Sequence, residues 1–319
     1  MGRNVESPRQ VHRLLQDLVA TADPAAPPPL VGVDQEGGRV ARLKAPVLPL
    51  PHARALGCLG DVNLTQRAYH GLGRQLRALG FSVDFAPVLD VDDGAAGTVI
   101  GDRAFAGNPQ TVARQGVAAL RGLLQAGLCP CGKHFPGHGT TVVDSHRDLP
   151  QVHLSRQELV QRDLVPFVEA FRAGLPLLMP AHVVFHCLDP DRPATWSPAV
   201  VHQLLRQELG FDGVVITDDL TMGAVTQAGG ARDGAVEALM AGADVLLICH
   251  DEDLQEQVIE NLADQARRRQ SVAQRLQEAA QRVMELRQRF APAPAITVDD
   301  LGQDDESLAL VRTLEERLE

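Results

Sequence analysis

The densest chemistry in this chain lies between Lys133 and His146, where KHFPGHGTTVVDSH packs three histidines, one lysine and one aspartate into fourteen residues. The segment leaves an apolar run, turns through Pro136, Gly137 and Gly139, and is the kind of loop that carries function on a rigid scaffold. Asp144, two residues before His146, can accept from one ring nitrogen, which fixes the tautomer and raises imidazole basicity while the other nitrogen faces a substrate. An imidazole titrating near pH 6.5 can then both give and take a proton in neutral water. Taken alone, the pair equally fits a histidine on a surface loop. A metal site built from His134, His138, Asp144 and His146 is a second reading, since all four are ligand types. Pro136 and Gly137 speak against it by interrupting any helix that would align His134 with His138, and Lys133 would set an ammonium beside the ion.

A second loaded segment is GVVITDDLTM, residues 213–222, in which an apolar strand runs straight into Asp218 and Asp219. A carboxylate at such a strand end can act as nucleophile toward an anomeric carbon. By itself, Asp-Asp after a strand also fits a helix N-cap or a metal ligand, and Asp219 suits the cap. In the third cluster, VGVDQEGGRVAR at 31–42, paired glycines turn the backbone past a strand end. Asp34, Glu36, Arg39 and Arg42 there offer groups suited to hydroxyls or an amide oxygen. Neither a G-x-G-x-x-G pattern nor a P-loop lysine accompanies those glycines. Arg103, in GDRAF, either binds substrate or pairs with Asp102.

These residues need elements to hold them. Short β-rich runs recur at Leu30–Asp34, Val83–Asp90, Leu128–His134, Leu175–His182, Val214–Asp218 and Asp244–Cys249. Helical spacing fills the intervals at about Ser7–Thr21, Leu64–Leu79, Pro109–Ala126, Ser155–Ala173, Pro198–Leu209, Gly230–Met240 and Leu254–Phe290. Ser155 before Glu158 has capping-box spacing, and Pro198 follows Ser197 as a helix start. Alternating β and α elements give an α/β fold with a parallel sheet. Almost every strand ends in a reactive residue, and a barrel gathers such ends at one mouth whereas an open sheet gathers its site at one switch point. The expectation is therefore a (β/α)8 TIM-type barrel over residues 1–291. Six strands are found where eight are needed, so the first two N-terminal strands are expected to be lacking, which would leave two strand edges to be covered. Residues 292–319 turn to Pro, Asp and Glu and read as a loop and an exposed acidic helix, too short for a second core.

Composition narrows the classes. With 45% hydrophobic and 22% charged residues in 319, the chain can bury a large core. Its formal net charge of -11, without a basic block, argues against nucleic acid as a partner. Five irregularly spaced cysteines do not form a disulfide framework, and Cys129-Pro130-Cys131 fits neither a zinc knuckle nor a redox pair, so it reads as buried strand in a reducing compartment. No apolar leader and no window of 18 apolar residues occur, so a cytoplasmic monomer that does not touch membrane is expected.

Taken in order, VDQEGGRVARL, GDRAFAGNP, KHFPGHGTTVVDSHRDLP, MPAHVVF and GVVITDDLTMGAV resemble the β-N-acetylglucosaminidase branch of glycoside hydrolase family 3, from about residue 1 to about residue 250. The resemblance implies a retaining β-N-acetylglucosaminidase with no cofactor and no metal, of the kind that removes N-acetylglucosamine from muropeptides in peptidoglycan recycling. It implies Asp218 as nucleophile, His146 as acid/base and Asp144 as its orienting partner. It further implies Asp34, Arg42, Arg103, Lys133 and His134 as the residues that bind the sugar. Most glycosidases use two carboxylates, and a His-Asp pair in place of the second marks this branch. The β-glucosidases of the same family carry a further domain for which this chain has no room. The rival readings are the metal-dependent hydrolase described above and a decayed barrel that binds sugar without turnover.

Overall fold

The computed structural model describes residues 4–94, 98–141, 149–223, 225, 230–291, 298 and 301–318. Helix α1 (Pro8–Ala20) starts at Ser7, whose hydroxyl accepts from the Gln10 amide, with Pro8 in the first turn. Strand β1 (Gly32–Val33) leads into the hairpin β2 (Gln35–Gly37) and β3 (Val40–Ala41). Helix α2 (Ala53–Leu59) precedes α3 (Val62–Leu79), which Asp61 caps by accepting from the amides of Asn63 and Leu64. Next come β4 (Val83–Asp84), α4 (Pro109–Gln125), β5 (Cys129–Phe135) and β6 (Gln151–Val152). Helices α5 (Arg156–Gln161) and α6 (Leu164–Arg172) follow, then β7 (Leu177–Pro180) and β8 (Val184–Phe185). The capping box at Ser155 and Glu158 forms as expected. A π-wound helix α7 (Ala199–Glu208), β9 (Val214–Val215), α8 (Ala231–Ala241), α9 (Glu252–Arg268), α10 (Gln270–Arg289) and α11 (Asp305–Leu318) complete the order.

Among the described residues the central sheet is parallel throughout, in the order β1-β4-β5-β7-β9, and a bridge from Ile216 to Val245 extends it by one step. Among these five strands sequence neighbours are spatial neighbours and the order does not reverse. The expected α/β class with a parallel sheet is what the structure has. β5 is buried along its whole length, whereas Gly32 and Val245, at the two outer members, are half-buried.

Side chains alternate as the pleat requires. Val83, Phe85, Cys129, Cys131, Leu177, Met179, Val214 and Ile216 share one face, where Leu286 of α10 and Phe290 just past its end pack against them. Leu178 and Val215, from the opposite face, join the apolar residues of α6, α7 and α8. A third cluster joins α1, α3 and α4 to Leu301, Leu310 and Leu314.

Several expected boundaries shift for identifiable reasons. The run Val83–Asp90 forms regular strand only at its start, since Pro87 has no N–H to give the ladder, yet it stays bonded to β5: the Ala86 and Pro87 carbonyls accept the Cys131 and Lys133 amides at 2.9 and 3.2 Å. Asp244–Cys249 runs beside β9 without regular strand pairing, since the Thr217 hydroxyl accepts the Leu247 amide where a carbonyl would continue the ladder. Ser155–Ala173 breaks at Arg162–Asp163, just ahead of Pro166, which is tolerated only in a first turn. Leu254–Phe290 breaks at Arg269, in extended conformation after two further arginines. The acidic helix forms, yet it is not simply exposed: Leu310 and Leu314 are buried in the cluster beneath it, Ser307 accepts from the Gln75 amide nitrogen at 3.0 Å, and Arg74 pairs with Glu306. Each buried leucine contributes about 1.5–3 kcal/mol of transfer free energy.

Candidate active site

Loops following β1, β5 and β9 converge on a cavity of about 930 Å³. On the first wall, Gly37 (φ 102°) and Gly38 (φ 54°) let the hairpin fold back so tightly that a Cβ on Gly37 would sit 2.5 Å from the Pro51 carbonyl oxygen. Gln35 pins this hairpin. Its Oε1 accepts from the amides of Arg42 and Leu43 at 2.8 and 3.0 Å, and its Nε2 donates to the Leu43 carbonyl. Asp34 is thereby set beside Arg42, with 3.6 Å between Oδ2 and Nη2.

The second wall is the end of β5, where Lys133 is nearly inaccessible, at 3% side-chain exposure. Its Nζ lies 3.2 Å from Asp34 Oδ1 and 2.6 Å from Glu36 Oε1. Arg103, from the short turn Gly101–Arg103, meets the same Glu36 with Nε and Nη2 both at 2.8 Å in a two-pronged pair. Burial opposes charge on Glu36, but Lys133 and Arg103 outweigh it and hold the carboxylate far below its ordinary range. In return, Glu36 and Asp34 overcome the burial of Lys133 and keep its ammonium charged well above the usual lysine value. Glu36 also holds the first wall to α3, because its carbonyl accepts from the Tyr69 hydroxyl at 3.1 Å.

His134 turns away from these ion pairs to Asp90, with 2.7 Å between Nδ1 and Oδ2. Asp90 Oδ1 accepts the amides of His134 and His138 at 3.2 and 2.7 Å, so one buried carboxylate fixes both the ring and the loop behind it. Burial works against this carboxylate, yet the charges and hydrogen bonds of His134 and His138 hold it low. The His138 ring hydrogen-bonds the Thr141 hydroxyl, and burial, reinforced by His134, pushes its pKa down to about 4.

On the third wall stands Asp218, just past β9 and half-buried at the cavity. Its Oδ1 accepts the Asp219 amide at 2.8 Å. Burial would raise this carboxyl, but nearby His182 and His134, the Asp219 amide and Lys133 together hold it below the ordinary value, so it is ionised in neutral water. His182 is itself kept mainly neutral by burial and is oriented by the Thr195 hydroxyl at 2.9 Å and the Asp219 carbonyl at 3.3 Å. Asp219, expected as a helix N-cap, instead braces the turn after β9 and the chain beside it by accepting the amides of Thr221 and Cys249 at 3.0 and 3.2 Å.

The structure thus brings Asp34, Arg42, Arg103, Lys133, His134 and Asp218 to one cavity. Asp144 and His146 lie outside the described residues. Two sequence readings change. Arg103 pairs with Glu36, and it is Arg39 that takes Asp102, at 2.7 Å. Glu36, expected to offer itself to hydroxyls, is spent on its two cations, and this anchoring part was missed; the only signal was an acid two residues past a strand end.

The wider comparisons agree with this arrangement. Residues 1–286 match the family model for the glycosyl hydrolase family 3 N-terminal domain. The β-hexosaminidase of Thiobacillus denitrificans is 41% identical over 267 residues, which cover 82% of this chain and 73% of that protein. The β-hexosaminidase of Pseudomonas aeruginosa is 40% identical over 253 residues, with coverages of 78% and 74%. A family 3 β-N-acetylglucosaminidase from Paenibacillus sp. superposes with a TM-score of 0.93 at 39% identity, over 99% of this chain, which spans only 61% of the Paenibacillus chain. NagZ from Neisseria gonorrhoeae superposes with a TM-score of 0.80 at 32% identity, over 100% of this chain and 89% of that one. The same NagZ is known in complex with N-trifluoroacetyl-D-glucosamine. A parallel β/α sheet with its charged residues at the strand ends, a family match over most of the length and these relatives lead to one assignment: the chain belongs to glycosyl hydrolase family 3.

Proposed function

We propose that this protein is a retaining exo-β-N-acetylglucosaminidase that acts as a cytoplasmic monomer on terminal N-acetylglucosamine of muropeptides. The observation that carries the reading is Asp218, a half-buried carboxylate held ionised in a cavity whose opposite walls offer Asp34, Arg42, Arg103, Lys133 and His134. In the first step an Asp218 oxygen bonds to the anomeric carbon as the bond to the leaving oxygen breaks, and protonated His146 gives that oxygen its proton. In the second, neutral His146 takes a proton from water, the water oxygen bonds to the anomeric carbon, and the bond to Asp218 breaks, leaving the configuration retained. Asp144 orients His146, and Asp34, Arg42, Arg103, Lys133 and His134 bind the sugar. That no helix among the described residues is long and apolar enough to cross a membrane fits this reading, as do the names of the relatives above.

Hydrolysis of para-nitrophenyl N-acetyl-β-glucosaminide by wild type, Asp218→Ala and His146→Ala, in excess EDTA, tests the proposal. The expected result is EDTA-resistant turnover, abolished in the first variant and reduced in the second. A folded wild type without turnover, or an Asp218→Ala variant that keeps wild-type rates, overturns it.

A further inference from the structure

Beneath the turn from Pro136 to Thr141 lies a carboxyl group for which this reaction has no use. Asp163 stands at the break between α5 and α6 and is 2% exposed. Gly137 (φ 140°) passes so closely over it that a Cβ there would come 2.8 Å from Asp163 Cβ and 3.1 Å from its Oδ1. Oδ1 lies 3.6 Å from Arg162 Nη1, while Oδ2 is buried with no hydrogen-bond partner. On its other side the turn is held by Asp90, which accepts the His138 amide within it and the His134 amide just before it, and Gly139 is pressed against Val91. Arg162 also reaches this layer, donating from Nη2 to the Val91 carbonyl at 3.0 Å. The turn is therefore packed between two carboxyl groups, one supplied with donors and the other without them for its second oxygen.

An ionised carboxyl with a buried, undonated oxygen is costly, whereas the neutral acid is far less so. The charged and titratable groups around Asp163 are Arg162, already engaged with Val91, the Asp90 carboxylate, which opposes a second negative charge, and His138, which burial keeps neutral. Burial, countered by Arg162 and reinforced by Asp90, pushes the Asp163 pKa up to about 7. We propose that Asp163 is a protonatable positioning residue: as a neutral acid it lets the turn that leads to Asp144 and His146 pack down, and its ionisation disturbs that turn and lowers turnover. The proposal rests on the reading of His146 as the acid/base.

The sign follows from linkage. A carboxyl whose pKa is raised by folding gives stability that is fully present below its unfolded value and is lost as pH rises through about 7. Two profiles over about pH 5 to 9, recorded on the full chain, decide the matter. The kcat of Asp163→Asn relative to wild type on the aryl N-acetylglucosaminide is expected to rise about tenfold from one pH unit below the inflection to one above. Over the same range the melting temperature of wild type falls relative to that of the variant. Arg162→Gln, lacking the nearby cation, moves the wild-type inflection to higher pH, and this second variant keeps the question decidable if Asp163→Asn fails to fold. A kcat ratio and a melting-temperature difference that both stay constant with pH, or an inflection unmoved in Arg162→Gln, overturn the proposal. Should the wild type hydrolyse no glycoside, the proposed function falls, while the melting profiles still determine whether Asp163 ionises as described.

Discussion

Glu36→Gln isolates the ion pairs on which the candidate site is built. Glu36 accepts three charge-assisted hydrogen bonds, two from Arg103 at 2.8 Å and one from Lys133 at 2.6 Å, and both cations are largely shielded from water. The glutamine keeps the shape but removes the charge and turns one end into a donor aimed at a cation. Lys133 keeps Asp34 at 3.2 Å, whereas Arg103 loses its two-pronged partner. Removing one member of a buried pair costs about 3–5 kcal/mol, which for a chain of this size lowers the melting temperature by about 5–8 °C. If the same loss appears in the transition state, kcat/KM on the aryl glycoside falls by at least about 100-fold. The pH dependence gives a further check. Folding depresses the Glu36 pKa, so its contribution is present above the unfolded value of about 4.3 and is lost as pH falls through the folded value. The melting difference between wild type and variant, followed by differential scanning fluorimetry, should be largest near neutrality and shrink on acidification. Equal melting at neutral pH, or a difference that stays constant into acid, refutes the reasoning.

Two further substitutions probe what holds the site from behind. In Gly139→Ala the new Cβ would lie 2.0 Å from the Val91 carbonyl oxygen, so backbone must move; about 1–3 kcal/mol of stability is lost, and turnover falls with it, as fluorimetry and the glycoside assay should record. The Asp244 side chain is fully buried and clasps Arg206 and Arg282, at 2.8 and 3.2 Å, together with Arg275. Asp244→Asn strands these cations at a cost of about 3–5 kcal/mol, while kcat per folded molecule is retained, and urea titration followed by assay of the native fraction separates the two effects.

The sequence was most legible where a residue's part depends on its own strand. Asp34, Lys133, His134 and Asp218 each follow an apolar run, and periodicity alone placed them at strand ends that meet in one cavity. The partnerships across the chain were hidden. Glu36 and Arg103 are joined from 67 residues apart, and nothing local tells an acid facing substrate from one facing a buried arginine. Asp163 was passed over for the same reason, since its environment is made by Gly137 and Asp90 and not by its neighbours in α6. Helix α2 escaped notice because seven residues interrupted by Gly57 give no periodic signal, yet that glycine is needed where the Phe105 carbonyl would stand 1.7 Å from a Cβ. The helix at Pro198–Leu209 was legible from its spacing, but its π winding was not, because a search at 3.6 residues per turn does not distinguish it.

The seat of α11 on α3 also bears on how the molecule is made. Gln75 accepts the Leu48 amide and donates to Ser307, Leu301 and Leu310 close the cluster that contains Leu48 and Leu72, and a Cβ on Gly302 would strike the Pro46 carbonyl. At about 5–20 residues per second, some tens of seconds separate the ribosome's delivery of α3 from its delivery of α11. For that interval the nascent chain carries an apolar seam with its cover still unmade, and a chaperone that shields α3 until residue 310 has emerged would raise the yield of folded enzyme.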